Sequence, residues 1–78
     1  MLDITTIQFL WKDRGSANGE CPSLFKVNGG YIGVGKALTA EEAAQVRALG
    51  ASHGSGIAAD EVAVFFPANV LDRLNPNG

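Results

Sequence analysis

The stretch Gly30 to Lys36 reads GYIGVGK. That is the G-x-x-x-x-G-K spacing with which a phosphate-binding loop gathers backbone amides and one lysine around a polyphosphate. Spacing alone does not make that chemistry. A serine or threonine must follow the lysine to hold Mg²⁺, and Ala37 follows here. The amides must converge inward, whereas Tyr31, Ile32 and Val34 alternate as they would in a strand. No βαβ unit or acidic strand end accompanies the motif. A hairpin strand whose glycines permit close packing is the favoured reading. Nucleotide or small-ligand binding at Gly30–Lys36 is the alternative.

Cys21 and His53 are the lone soft ligand and the lone imidazole. A structural zinc needs four ligands, usually in short paired spacings, and neither residue has a neighbour of its kind. Asp60 and Glu61 are the carboxylates that would have to complete a set. A half-buried cysteine at a strand start and an exposed loop histidine account for both more simply. A Cys–His nucleophile would also need an orienting partner, which the chain does not supply. Asp13 and the Asp60–Glu61 pair lack the facing carboxylates of a hydrolase and read as solvated loop residues. The sequence therefore predicts no catalytic residue, no metal site and no cofactor, and a protein that is not an enzyme.

Phe9, Trp11, Tyr31, Phe65 and Phe66 invite comparison with a base-stacking sheet. Such surfaces interleave aromatic with basic groups. Lys12, Arg14, Lys26 and Lys36 are scattered, and the formal charge of the chain is −2. Direct nucleic-acid binding is a weak third reading, and core or protein interface is the favoured role for these rings.

The elements that must position these residues follow from length and pattern. Seventy-eight residues suit one domain spanning 1–78, without space for a second core. A single cysteine excludes an internal disulfide and points to a reducing compartment, with the cytoplasm as the expected location. MLDITTIQ has neither the basic segment nor the apolar run of a signal peptide, and no segment approaches membrane-spanning length.

Thr5 to Lys12 reads as a strand with Ile7, Phe9 and Trp11 on one face, Gln8 and Lys12 on the other, and Leu10 as the exception. DRGSANGECP, from Asp13 to Pro22, is a turn-rich loop. Ser23 to Gly35 is a hairpin about Asn28–Gly29, predicted as a two-residue type I′ turn. That register opposes Val27 to Gly30, Phe25 to Ile32 and Ser23 to Val34, so Phe25, Val27, Ile32 and Val34 share a face and Lys26 and Tyr31 share the other. Thr39 to Leu49 is a helix with a Thr39/Glu42 capping box, Arg47 near its negative end and Gly50 as its left-handed terminator. Its shallow side of Ala43, Val46 and Leu49 suits packing on a sheet. Glu61–Phe66 is a strand apolar on both faces. Pro67 starts a short helix, Ala68 to Leu74, with Val70, Leu71 and Leu74 inward. Residues 75–78 are expected to fray. The order β-β-β-α-β-α gives an α+β fold: an antiparallel sheet of about four strands with helices packed on it.

Trp11-Lys12, Ser16, Gly19-Glu20-Cys21 and a closing FFPANVLDRL together resemble small actinobacterial proteins of unknown function encoded beside helix-turn-helix regulators, including the acidic partner family associated with WhiJ. The likeness spans most of the chain. Cys21-Pro22-Ser23, the NGG hairpin and the Thr39–Leu49 helix depart from that family and are closer to a related unnamed streptomycete group. The resemblance implies a regulatory role, binding a helix-turn-helix regulator, and carries over no catalytic residue. A non-enzymatic protein-interaction module accessory to a transcriptional regulator is the expectation.

A second expectation is a homodimer. Two short helices can cover one face of such a sheet but hardly both, so Leu10, Trp11, Tyr31 and Phe65 are the candidate interface residues, with Leu10 and Phe65 the most exposed of them.

Overall fold

The computed structural model describes residues 4–15 and 21–75. Residues 16–20 of the turn-rich loop and 76–78 of the expected frayed end lie outside that range. The elements run β1 (Gln8–Lys12), β2 (Ser23–Val27), β3 (Gly30–Val34), β4 (Lys36–Ala37), α1 (Ala40–Ser52), β5 (Val64–Phe65) and α2 (Ala68–Asp72). The fold is α+β. In place of one sheet of about four strands there is a three-stranded antiparallel sheet, β1-β2-β3, and a separate two-stranded ladder, β4-β5. The chain forms two compact units: residues up to Gly35 with those from Phe66 onward, and Lys36–Phe65.

In the first unit the hairpin register is the expected one, Val27 opposite Gly30, Phe25 opposite Ile32 and Ser23 opposite Val34. The turn differs in kind. Gly29 has φ +87° and no described non-glycine residue has a positive φ. A type I′ turn needs positive φ at both centres, so the signs are those of type II, with glycine at the position that demands it. Lys26 Nζ donates to the carbonyls of Val27 and Gly30 beside this turn and lies 4.8 Å from the Tyr31 ring centroid.

The expected face of β1 is corrected by a bulge. Phe9 pairs with Phe25 but Trp11 pairs with Leu24, so Leu10 is the extra residue between them. An unpaired residue reverses the alternation beyond it. Phe9 stays with Phe25, their rings 5.4 Å apart and edge to face. Trp11 crosses to the opposite face with Leu24.

That second face is the covered one. Phe66 lies on Gly33 so closely that a Cβ there would come 2.4 Å from its Cζ. Trp11 Nε1 donates to the Val70 carbonyl at 2.7 Å. Leu24 and Val70 are buried, Val70 completely, and each such side chain contributes roughly 1.5–3 kcal/mol of transfer free energy. Arg73 completes the docking of α2: its guanidinium stacks 5.3 Å from the Trp11 ring and donates to the Lys12 carbonyl and to Asn69 Oδ1. α2 stops at Asp72, so Leu71 and Leu74, expected inward, are exposed. Five residues make little more than one turn, which presents one inward position.

In the second unit α1 has the expected capping box. Glu42 N donates to Thr39 Oγ1 at 3.2 Å and Thr39 N to Glu42 Oε1 at 2.9 Å. The helix does not end at Leu49. It continues to Ser52, and Gly54, with φ +73°, supplies the left-handed terminator. Ser55 N donates to Gly50 O at 2.7 Å and Gly54 N to Ala51 O at 3.1 Å, the paired bonds of a Schellman motif. Gly50 is needed there for another reason, since a Cβ would stand 2.0 Å from Ser55 O. The helix buries none of its residues fully; of the side expected to pack, Ala43 is half-buried beside Leu38, Ile57 and Ala63, while Val46 and Leu49 are exposed.

The expected strand Glu61–Phe66 contracts to Val64–Phe65. Its partner β4 is two residues long and runs straight into the Thr39 cap, so no template remains beyond the last rung, Leu38 N to Ala63 O at 3.2 Å. Nor is this stretch covered on both sides: Val62 is 80 % exposed and Phe65 57 %. No helix among the described residues is long and apolar enough to cross a membrane.

Candidate functional site

The three-stranded sheet leaves part of one apolar face open, while Ser23 and Val27 on it are buried. Phe9, 56 % exposed, and Val34, 50 % exposed, lie on it with the half-buried Phe25 and Ile32 between them, and Ile7 is exposed just before β1. Strand alternation through the two-residue turn forces this grouping, and the bulge adds Lys12, paired with Ser23, at its rim. A contiguous apolar surface with a polar rim is the usual mark of a protein-binding site.

The candidate interface residues have different fates. Leu10 is the half-buried bulge residue. Trp11 is half-buried and engaged by Val70 and Arg73. Tyr31 is 52 % exposed, on the Trp11 face and beside Lys26. Phe65 belongs to the other unit. Phe9, for which core and interface were both open, and Val34, assigned only to the face of Phe25, stand about half exposed on the open face instead. The signal available for them was β3 itself, whose glycines and unbroken alternation define a face without naming what covers it.

The P-loop-like residues do not form a cradle. Gly30–Val34 is strand, in register with β2 throughout, and Lys36 lies in β4. Cys21 is half-buried in the first unit, and exposed His53 caps the C-terminus of α1 in the second. Among the described residues, no group of three or more His, Cys, Asp or Glu side chains is arranged to hold a metal ion. Asp13 and Glu61, expected to be solvated loop acids, have structural partners. Asp13 Oδ1 accepts from Asn69 Nδ2 at 2.7 Å, and Glu61 Oε1 accepts from Ala58 N at 2.8 Å.

Shallow cavities lie in both units. One, of about 370 Å³, lies in the second unit among Lys36, Leu38, Thr39, Glu42 and Phe65. Its Thr39 and Glu42 groups are already spent on the helix cap, and that bonding, from the Thr39 backbone and then its hydroxyl, holds the Glu42 carboxyl below the usual glutamate range. Another, of about 440 Å³, lies in the first unit among Arg14, Asn69, Asp72 and Arg73, where Asn69 and Arg73 are bonded to β1 and its continuation. Among the described residues no buried side-chain nitrogen or oxygen lacks a hydrogen bond.

No family model, curated protein or solved structure matches this chain.

Proposed function

We propose that the chain is a non-enzymatic protein-interaction module, an accessory to a helix-turn-helix transcriptional regulator, working in the cytoplasm. The observation that carries the reading is the open apolar face of the three-stranded sheet, with Phe9 and Val34 about half exposed. A small fold with few buried apolar side chains gains most from a partner that covers such a face. The regulator as partner rests on the resemblance of the Trp11–Cys21 and FFPANVLDRL segments to regulator-linked families. Titrating the purified protein with a purified helix-turn-helix regulator of the kind linked to the resembled families tests the reading. Saturable binding that weakens roughly tenfold or more with Phe9→Lys, about 1.4 kcal/mol per tenfold, supports it. Absence of binding, or binding indifferent to Phe9→Lys, refutes it.

A further inference from the structure

The sheet β1-β2-β3 has two edges of different construction. β1 is blunted by its bulge at Leu10 and by Gln8 and Lys12, devices that keep foreign strands away. β3, Gly30-Tyr31-Ile32-Gly33-Val34, has no charge, no proline and no bulge, and all of it is in register with β2. Among the described residues its other side pairs with nothing. Gly33 is exposed even though Phe66 rests on it, and its neighbours Tyr31 and Val34 are exposed too.

Ladder parity says which groups this edge offers. Val27 and Gly30 flank a two-residue turn and so form a hydrogen-bonded pair. Alternation from that pair turns Gly30, Ile32 and Val34 toward β2. The amides and carbonyls of Tyr31 and Gly33 then face outward.

We infer that β3 pairs antiparallel with β3 of a second copy, about a two-fold axis at Ile32, joining two three-stranded sheets into one. In this register Ile32 faces Ile32, Tyr31 faces Gly33, and Gly30 faces Val34. Each bulky flanking side chain meets a glycine, and the two Tyr31–Gly33 pairs are the ones whose backbone groups point outward. The partner's Tyr31 arrives beside Phe66, which the bare Gly33 has let settle onto the sheet. An axis at Tyr31 would oppose two tyrosines and shorten the ladder. An axis at Gly33 would shorten it as well and take Gly30 out of the pairing. The self-complementary spacing of glycine and bulk argues for a second copy as the occupant, because an isologous contact needs residue i to suit j and j to suit i. An uncharged strand also meets itself without like-charge repulsion. This pairing goes beyond the regulator reading and does not depend on it.

Sedimentation equilibrium at about 100 µM, where an interface weaker than the micromolar range still assembles, should give the mass of a dimer. Tyr31→Pro removes an outward amide and leaves the β2–β3 ladder intact, so it should weaken dimerisation roughly tenfold or more while far-UV dichroism is retained. Ile32→Cys in a Cys21→Ser background should form an intermolecular disulfide on mild oxidation, because the paired positions are directly opposed and non-hydrogen-bonded. Tyr31→Cys in the same background should not. A monomer at that concentration overturns the inference. So does a dimer that Phe9→Lys dissociates while Ile32→Cys fails to cross-link, since that outcome assigns the contact to the open face. If Tyr31→Pro fails to fold, the cross-linking result alone decides.

Discussion

The indole of Trp11 donates to the carbonyl of Val70 at 2.7 Å, a bond between residues 59 positions apart in the sequence. It fastens a helix of five residues, too short to persist alone, to the end of β1. Arg73, stacked on the same indole and bonded to the Lys12 carbonyl, closes the attachment from its other side.

Trp11→Phe keeps a ring under Arg73 but deletes the donor. A loss of about 1–2 kcal/mol is expected in urea unfolding followed by dichroism, as for a half-buried hydrogen bond removed from one partner. Val70→Ala should cost about as much or more through the cavity it leaves.

Gly33→Ala places a methyl group where Phe66 already is, 2.4 Å from its Cζ. Displacing that ring should cost about 1–3 kcal/mol. The double variant Gly33→Ala/Phe66→Leu should recover part of the loss, and a thermodynamic cycle with non-additivity of about 0.5–3 kcal/mol would verify the contact.

Gly50→Ala reverses an ordinary rule. Alanine inside a helix normally improves on glycine by about 1 kcal/mol. Here the added Cβ meets the backbone carbonyl of Ser55 at 2.0 Å, so the melting temperature should fall. Gly54→Ala should lower it as well, because φ at that position is +73°.

The Glu42 carboxyl is held below the ordinary 4.5 by hydrogen bonding to the Thr39 backbone and hydroxyl, with Lys36 assisting and slight desolvation opposing. A carboxylate whose folded value is depressed stabilises the folded state fully above its unfolded value, and that contribution is lost as pH falls through the folded one. The helicity of α1 should therefore hold above pH 4.5 and decline below it. A carboxyl-detected NMR titration of Glu42 should show a midpoint below 4.5 that moves upward in Thr39→Ala. Glu42→Gln should flatten the dependence.

Short-range chemistry was legible in the sequence. The Asn28–Gly29 register and the Thr39/Glu42 box each depend on residues within a few positions of one another. What was not legible depended on how much partner each element finds. Glu61–Phe66 has the composition of a long strand, but β4 is cut short by the helix cap. Gly50 reads as the terminator of α1, but the helix runs on to Gly54, and Gly50 is required instead by the close approach of Ser55. Phe9 and Val34 fit a core by composition, and whether a core forms over them depends on cover that no local pattern encodes. Leu10 was visible as an irregularity without revealing its effect.

That irregularity decides which face each end of β1 serves. Before Leu10 the strand serves the open face through Phe9, and after it the covered face through Trp11. Deleting Leu10 would join Phe9 directly to Trp11, and ordinary alternation would still set Trp11 opposite Leu24 on the covered face, now in an unbulged strand. What would bring Trp11 to the side of Phe9, and carry the indole away from Val70 and Arg73, is regular pairing through all three residues with the length unchanged. Among related chains, loss of the residue between Phe9 and Trp11 should therefore be compatible with an unchanged Trp11, Val70 and Arg73.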